Sequence, residues 1–155
     1  LDLPPALSVR AGKKMKKPII VDDSIRIPSS QEYLIDVDSF LEGILRGYGI
    51  DESIIADIAI SVTEMVNNGI IHGNRSDPDK EIEISIYRKN SDVEIAIRDQ
   101  GEGFNPDAVS SPIDDANLMR EVGRGIFIAR SLMDTVRFQF SPGHGTEVTL
   151  VKKIN

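Results

Sequence analysis

Glu64-Met-Val-Asn-Asn68-Gly-Ile-Ile-His72-Gly73, inside the longer run of residues 51–73, is the stretch whose reading decides the fold. Glu64, Asn68 and His72 recur every four residues, which on a helix stacks them one turn apart on a single face. Ile54, Ile55, Ile58, Val62, Met65 and Val66 flank them and supply an apolar stripe to bury. A carboxylate, an amide and an imidazole beside a buried stripe describe a helix with one side in a core and the other facing a cleft, a solvent shell or a partner. Asp51 reads as the N-cap, the helix is expected to run to Gly73, and residues 74–80 with their Asp-Pro step read as a turn.

Working outward, residues 33–45 keep helical spacing through Leu34, Val37, Phe40, Leu41, Ile44 and Leu45, with Ser29 or Ser30 as N-cap and Gly47 and Gly49 as the stop. Before them, residues 19–21 and 24–27 read as extended and able to join a sheet edge. Residues 81–88 alternate Ile82, Ile84 and Ile86 with polar side chains, and residues 93–97 do the same after a short break, which predicts a hairpin with one buried face. Residues 104–122, rich in Ser, Pro, Asp and Asn, are too long and polar for a tight connection and read as a mobile loop or lid. Helical spacing resumes over residues 125–133, and residues 136–140 and 146–151 close a second hairpin around Ser141-Pro-Gly-His-Gly145. The expected fold class is α/β: a two-layer sandwich, with a mostly antiparallel mixed sheet and helices packed on one face.

At 155 residues the chain has the length of about one domain. Hydrophobic residues make up 40%, and no unbroken apolar run approaches the ~20 residues of a membrane span, so a soluble, cytoplasmic protein is expected. A net charge of −7 argues against a nucleic-acid binder that works by neutralising phosphates and favours a protein partner or a metal-chelated nucleotide. The absence of cysteine excludes disulfides, thiolate metal sites and cysteine nucleophiles. Residues 1–18, with Pro4, Pro5 and a basic cluster of Lys13, Lys14, Lys16 and Lys17, are expected to have little order and lack the apolar stretch of a signal peptide. Met15 reads as the natural start, with an added leader before it, and residues 19–155 as the folded domain.

Four boxes in order carry a family resemblance. They are Glu64-x-x-x-Asn68-x-x-x-His72-Gly73, Asp99-x-Gly101-x-Gly103-Phe104, Gly123-Arg124-Gly125 at the expected opening of a helix, and Gly143-x-Gly145-Thr146 before the last strand. The set resembles the ATP-site boxes of the GHKL superfamily, which includes gyrase, heat-shock chaperones, histidine kinases and mismatch-repair ATPases. The resemblance implies that superfamily's ATP-binding fold from about Ile19 onward. Gly69 departs from it, standing where alanine is commoner, and as a helical glycine costs about 1 kcal/mol.

The same residues can be read chemically. Asn68 offers a neutral amide oxygen suited to Mg²⁺, which keeps its remaining positions for phosphate oxygens and water. Glu64, one turn earlier, can accept the proton of a hydroxyl or water attacking the γ-phosphate and is the catalytic candidate. The plain alternative for both is a solvated helix face. Asp99 ends a strand before Gly101 and Gly103, where an ionised carboxylate accepts a hydrogen bond from the exocyclic amine of adenine and repels the carbonyl that guanine presents there. Alone, Asp-x-Gly also makes an ordinary turn. In the superfamily the equivalent aspartate holds adenine and a threonine matching Thr146 supports it; without the resemblance, Thr146 reads equally as a plain strand residue. Gly123, Arg124 and Gly125 are read as presenting free N–H groups and a positive charge to phosphates, the alternative being a lid hinge with a surface arginine. His72 belongs to the first box, although a lone histidine is more often structural, and His72 with the distant His144 does not define a metal site.

Gyrase-type and chaperone-type members carry further domains, and sensor histidine kinases carry a phospho-acceptor helix. At this size the chain most resembles the bacterial anti-sigma factor serine/threonine kinases. That resemblance implies ATP and Mg²⁺ as cofactors, a sigma factor and an anti-anti-sigma protein as partners, and a homodimer. A nucleotide-gated binding module without phosphate transfer, or a detached histidine-kinase core, remains as an alternative.

Overall fold

A computed structural model describes residues 17–102 and 116–154, with side chains in the second span from residue 120. The expected leader up to residue 16, Gly103, and residues 104–115 of the expected lid lie outside the described residues. In chain order the elements are β1 (Ile19–Val21), β2 (Ser24–Pro28), a 3₁₀ turn (Gln31–Tyr33), α1 (Leu34–Gly47), α2 (Glu52–Asn68), a π-helical turn (Gly69–Gly73), β3 (Glu81–Lys89), β4 (Asp92–Arg98), α3 (Ala116–Leu132), β5 (Thr135–Ser141) and β6 (Gly145–Lys153). The strands form one six-stranded sheet in the order β1-β2-β3-β4-β6-β5. Every neighbouring pair is antiparallel. The expected two-layer sandwich stands.

Register explains why one sheet face is buried. Ile25, Ile84, Ile97, Val148 and Phe138 lie in one cross-strand row, and Ile86, Ile95, Leu150 and Val136 in the next. Because side chains alternate along a strand, these rows point the same way and meet the helices. Val37, Leu41 and Leu45 of α1, Ile58, Val62 and Val66 of α2, and Val122, Ile126 and Ala129 of α3 complete that core. The opposite face carries charge: Arg98 bridges Glu83 at 2.7 Å and Glu147 at 3.0 Å across three strands, and Arg26 pairs with Glu81 at 3.0 Å. These pairs sit at the surface and contribute at most about 1 kcal/mol each.

Several expectations shift. Ser30 caps the 3₁₀ turn that precedes α1, its hydroxyl accepting from Glu32 N. Asp51 stands at the N-cap of α2, but its carboxylate makes no cap bond and is held by the Ser53 hydroxyl at 2.9 Å. The helix Glu52–Gly73 is 22 residues long, and an 18-residue window in it has a mean hydropathy of 1.4, enough for a membrane span by length and composition, which a search for an unbroken apolar run misses. Its apolar side, from Ile55 to Val66, is part of the core. The largest change concerns α3. It begins at Ala116 and not near Gly125, so the second part of the expected lid, residues 116–122, is helix. Val122, Ile126, Ala129 and Met133, all buried, keep helical spacing straight through both glycines.

Candidate functional site

The site forms where the end of β4, the start of β6 and the end of α2 converge. Asp99 N donates to Thr146 O at 3.0 Å, so the residue stays in register with β6 after β4 has ended. Its Oδ1 accepts from the amides of Gly101 and Thr146, both at 3.0 Å. Its Oδ2 lies toward the Gly69–Gly73 turn. Burial raises the carboxyl above its ordinary value, while the two amide hydrogen bonds and the charge of Lys80 oppose the rise.

Glycines make this packing possible. A Cβ at Gly101 would lie 2.0 Å from Gly73 O, one at Gly73 2.3 Å from Asp99 Oδ2, and one at Gly145 2.3 Å from Asp99 O. Gly145 also has φ +88°, in the left-handed region that suits glycine. Gly69 fits the same picture: a Cβ there would meet Ile82 Cδ1 at 3.0 Å and Asp99 Cβ at 3.6 Å. Its cost in helix propensity is the condition for seating the turn on β3 and Asp99.

The helix does not run regularly to Gly73. After Asn68 it widens, with Asn74 N donating to Gly69 O at 2.7 Å, the i to i+5 spacing of a π-helical turn. Glu64 and Asn68 therefore stack as expected, whereas His72 sits on the widened turn. Its side chain is 8% exposed, with Nε2 3.5 Å from Glu121 Oε1 of α3. Burial lowers its pKa, and Glu121 acts against that shift.

A narrow cavity joins these parts. Met65, Ile97, Val122, Phe138 and Val148 wall it, and Asn68, His72, Asp99 and Thr146 give it polar edges. At its other end the α3 backbone lies directly on α2: a Cβ at Gly125 would be 3.0 Å from Glu64 Oε1 and 3.6 Å from the amide atoms of Asn68. Gly125 is thus brought to the site as a close-packing residue. Gly123 and Arg124 are exposed on α3 and do not line the cavity. The reading that Gly123 to Gly125 offer free helix N–H groups is corrected, since a helix that starts at Ala116 has those amides inside its hydrogen-bonded body.

The structure thus groups Glu64, Asn68, His72, Asp99, Gly101, Gly125, Gly145 and Thr146. It adds Gly69, Asn74 and Val122, and gives Gly73 of the first box a packing role against Asp99. The spacing of Val122 to Ile126 and Ala129 is the signal that could have placed it on a helix, whereas Asn74 reads from sequence as an ordinary turn residue with no signal to mark it.

The donor set fits a magnesium nucleotide. An apolar slot with a carboxylate at its edge suits a flat base bearing an amine. Among the described residues no group of three or more His, Asp or Glu converges into a protein-only metal cage. Asn68 is the one neutral oxygen ligand of the cavity's helix edge, and an ion there would share phosphate oxygens and water.

Comparisons with known proteins agree with this geometry. Residues 27–152 match the family model of the histidine kinase-like ATPase domain. The serine-protein kinase RsbW of Listeria innocua is 28% identical over 138 residues, covering 85% of this chain and 87% of its own length. That of Staphylococcus aureus is 31% identical over 127 residues, covering 77% and 79%. Among solved structures, the RsbU and RsbW domains of a Mycobacterium tuberculosis protein superpose with a TM-score of 0.61 at 21% identity, over 90% of this chain and 32% of that one. The histidine kinase domain of an Erythrobacter litoralis blue-light activated kinase gives 0.51 at 15%. At these identities the two structures speak for the fold alone.

Proposed function

The chain belongs to the histidine kinase-like ATPase domain family, and from that premise we propose that it is an ATP-dependent serine/threonine kinase of the anti-sigma type. In this reading it binds ATP with Mg²⁺, sequesters a sigma factor, and phosphorylates an anti-anti-sigma partner on serine or threonine. Its similarity to the RsbW serine-protein kinases, at 28 to 31% identity over most of both chains, supports the branch. The observation that carries the nucleotide reading is Asp99: a carboxylate at the edge of an apolar slot, with one oxygen fixed by two backbone amides. An ionised carboxylate so held accepts the adenine amine and disfavours a guanine carbonyl.

ATP supplies the phosphoryl group, and magnesium neutralises its charge. Asn68 offers its amide oxygen to the ion. Glu64 takes the proton of the attacking hydroxyl as the new oxygen–phosphorus bond forms and the bond to the ADP oxygen breaks. Both residues now lie against Gly125, and the cavity is walled by Val122, so outward movement of α3 alone would open the base slot and the phosphate end together. The homodimer implied by the resemblance has a candidate surface in the edge strand β1, whose Ile19, Ile20 and Val21 are 40, 58 and 60% exposed. A cytoplasmic setting goes with these partners.

Single-turnover transfer from labelled ATP to the co-purified partner tests the proposal. Glu64→Gln should slow transfer by about 10²–10⁴ with little change in ATP affinity, the usual worth of general-base assistance. Asn68→Ala should lose the magnesium-dependent part of ATP binding. Transfer by Glu64→Gln at the wild-type rate would remove that residue's role. ATP binding without transfer by the wild-type protein would favour the non-catalytic binding module.

A further inference from the structure

Asn74 does not line the cavity, yet it is wired to the end that holds Asp99. It is 1% exposed, and its amide is fully used. Oδ1 accepts from Gln100 N at 2.7 Å, and Nδ2 donates to Ser29 Oγ at 2.8 Å and to Glu81 O at 3.0 Å. Its own N–H closes the π-helical turn on Gly69 O. Ser29 in turn donates to Lys80 O at 2.7 Å, and Gln100 Oε1 accepts from Glu81 N at 2.8 Å. One side chain thus ties the end of β2, the start of β3 and the loop after β4 to the end of the α2 helix.

The bond to Gln100 matters most. Asp99 and Gln100 are consecutive, and their two amides are held from opposite sides, Asp99 N by Thr146 O and Gln100 N by Asn74 Oδ1. The two peptide units that flank the Asp99 Cα are therefore each held by a different element, which fixes the direction in which the Asp99 carboxylate leaves the backbone. Asparagine suits the post because the arrangement needs one acceptor and two donors on a short side chain; a serine has one donor, and an aspartate has none when ionised.

We propose that Asn74 is a positioning residue for base selection, acting through Gln100 on Asp99. The inference rests on the nucleotide reading given above. Removing Asn74's amide leaves the Gln100 N–H without its buried acceptor and frees the loop, so the Asp99 carboxylate loses its preset direction and adenine loses its advantage over guanine.

Calorimetry with ATP and GTP on the wild type, Asp99→Asn, Asn74→Ala and the double variant tests it as a cycle. Asn74→Ala is expected to weaken ATP about tenfold and narrow the ATP-to-GTP ratio, but to cost less than about threefold more once Asp99 is already Asn. A core variant distant from the site, Val93→Ala, serves as control and should leave the ratio unchanged. Equal losses from Asn74→Ala in both backgrounds, or the same loss of ratio in Val93→Ala, would overturn the inference while leaving the nucleotide reading intact. A wild-type protein that binds no ATP would overturn both. Should Asn74→Ala fail to fold, Ser29→Ala removes one anchor of the amide; its smaller loss, about threefold, must also vanish in the Asp99→Asn background, and persistence there overturns the proposal.

Discussion

At the Asp99 end of the cleft, backbone is packed on backbone: an added Cβ would come within 2.0 Å of Gly73 O at Gly101 and 2.3 Å of Asp99 O at Gly145. At the Glu64 end, the close neighbour of Gly125 is the tip of a carboxylate side chain at 3.0 Å, and Gly123, on the same helix, has nothing within 4 Å. The first arrangement is set when the sheet and the π-helical turn form, and it cannot loosen without breaking main-chain hydrogen bonds. The second sets the α3 backbone at Gly125 against the side-chain ends of Glu64 and Asn68, which can turn aside while both helices stay whole. On the nucleotide reading proposed above, the difference teaches that base recognition would be preorganised, whereas the phosphate end would be closed by side-chain ends that can yield.

The strongest way to break this comparison is Gly101→Ala. With backbone at 2.0 Å from the new Cβ and no flexible atom to yield, we expect a loss of roughly 3 kcal/mol or more of stability, in the range of the more severe single substitutions, together with loss of ATP binding. Chemical denaturation and calorimetry check it. Wild-type stability would mean that the Asp99 end is not rigid.

Gly125→Ala probes the other end and should be mild. Alanine gains about 1 kcal/mol in helix propensity, and the Glu64 carboxylate can swing away at little cost. Stability should stay within about 1 kcal/mol of wild type, with phosphoryl transfer reduced more than ATP affinity because Glu64 is displaced. Destabilisation equal to that of Gly101→Ala would erase the contrast between the two ends.

The smallest effect concerns the His72 contact with Glu121, which joins α3 to the widened turn. Burial lowers the folded-state pKa of His72 below its ordinary 6.5, so at slightly acid pH the unfolded chain binds a proton that the folded chain does not. Stability then rises with pH through that window and is lost as pH falls below 6.5 toward the folded value. Replacing His72 with Gln should flatten this part of the pH–stability curve. Because Glu121 opposes the shift, Glu121→Gln should lower the histidine further and widen the window. A His72→Gln curve that parallels wild type would show that the histidine does not carry the dependence.

Much of the fold was legible because it depends on local pattern. The alternation of Ile82, Ile84 and Ile86 and the helical spacing of Ile55, Ile58 and Val62 assign faces whatever their partners are, and the order of elements then leaves few ways to cover the sheet. Asp99, Asn68 and Glu64 could be named as candidates because their chemistry is set by local sequence, Glu64 four residues before Asn68 and Asp99 two before Gly101. The start of α3 was misplaced for a related reason: polar residues and two glycines weaken a helical pattern locally, and what restores it is burial of Val122, Ile126 and Ala129 against α2 and the sheet.

What the amino-acid order determined alone was the class of fold, the face each strand and helix buries, and the candidate residues for a nucleotide site. Tertiary structure decided the rest: that the helix widens after Asn68, that Gly69 and Gly73 are spaces for Asp99, that Asn74 ties Gln100 to Ser29 and Glu81, and that Gly125 rests on Glu64. Those features arise between segments far apart in the chain, where a missing Cβ or a shared amide has meaning only once both sides are in place. Periodicity reports which side of an element turns inward, but not which backbone it will meet there.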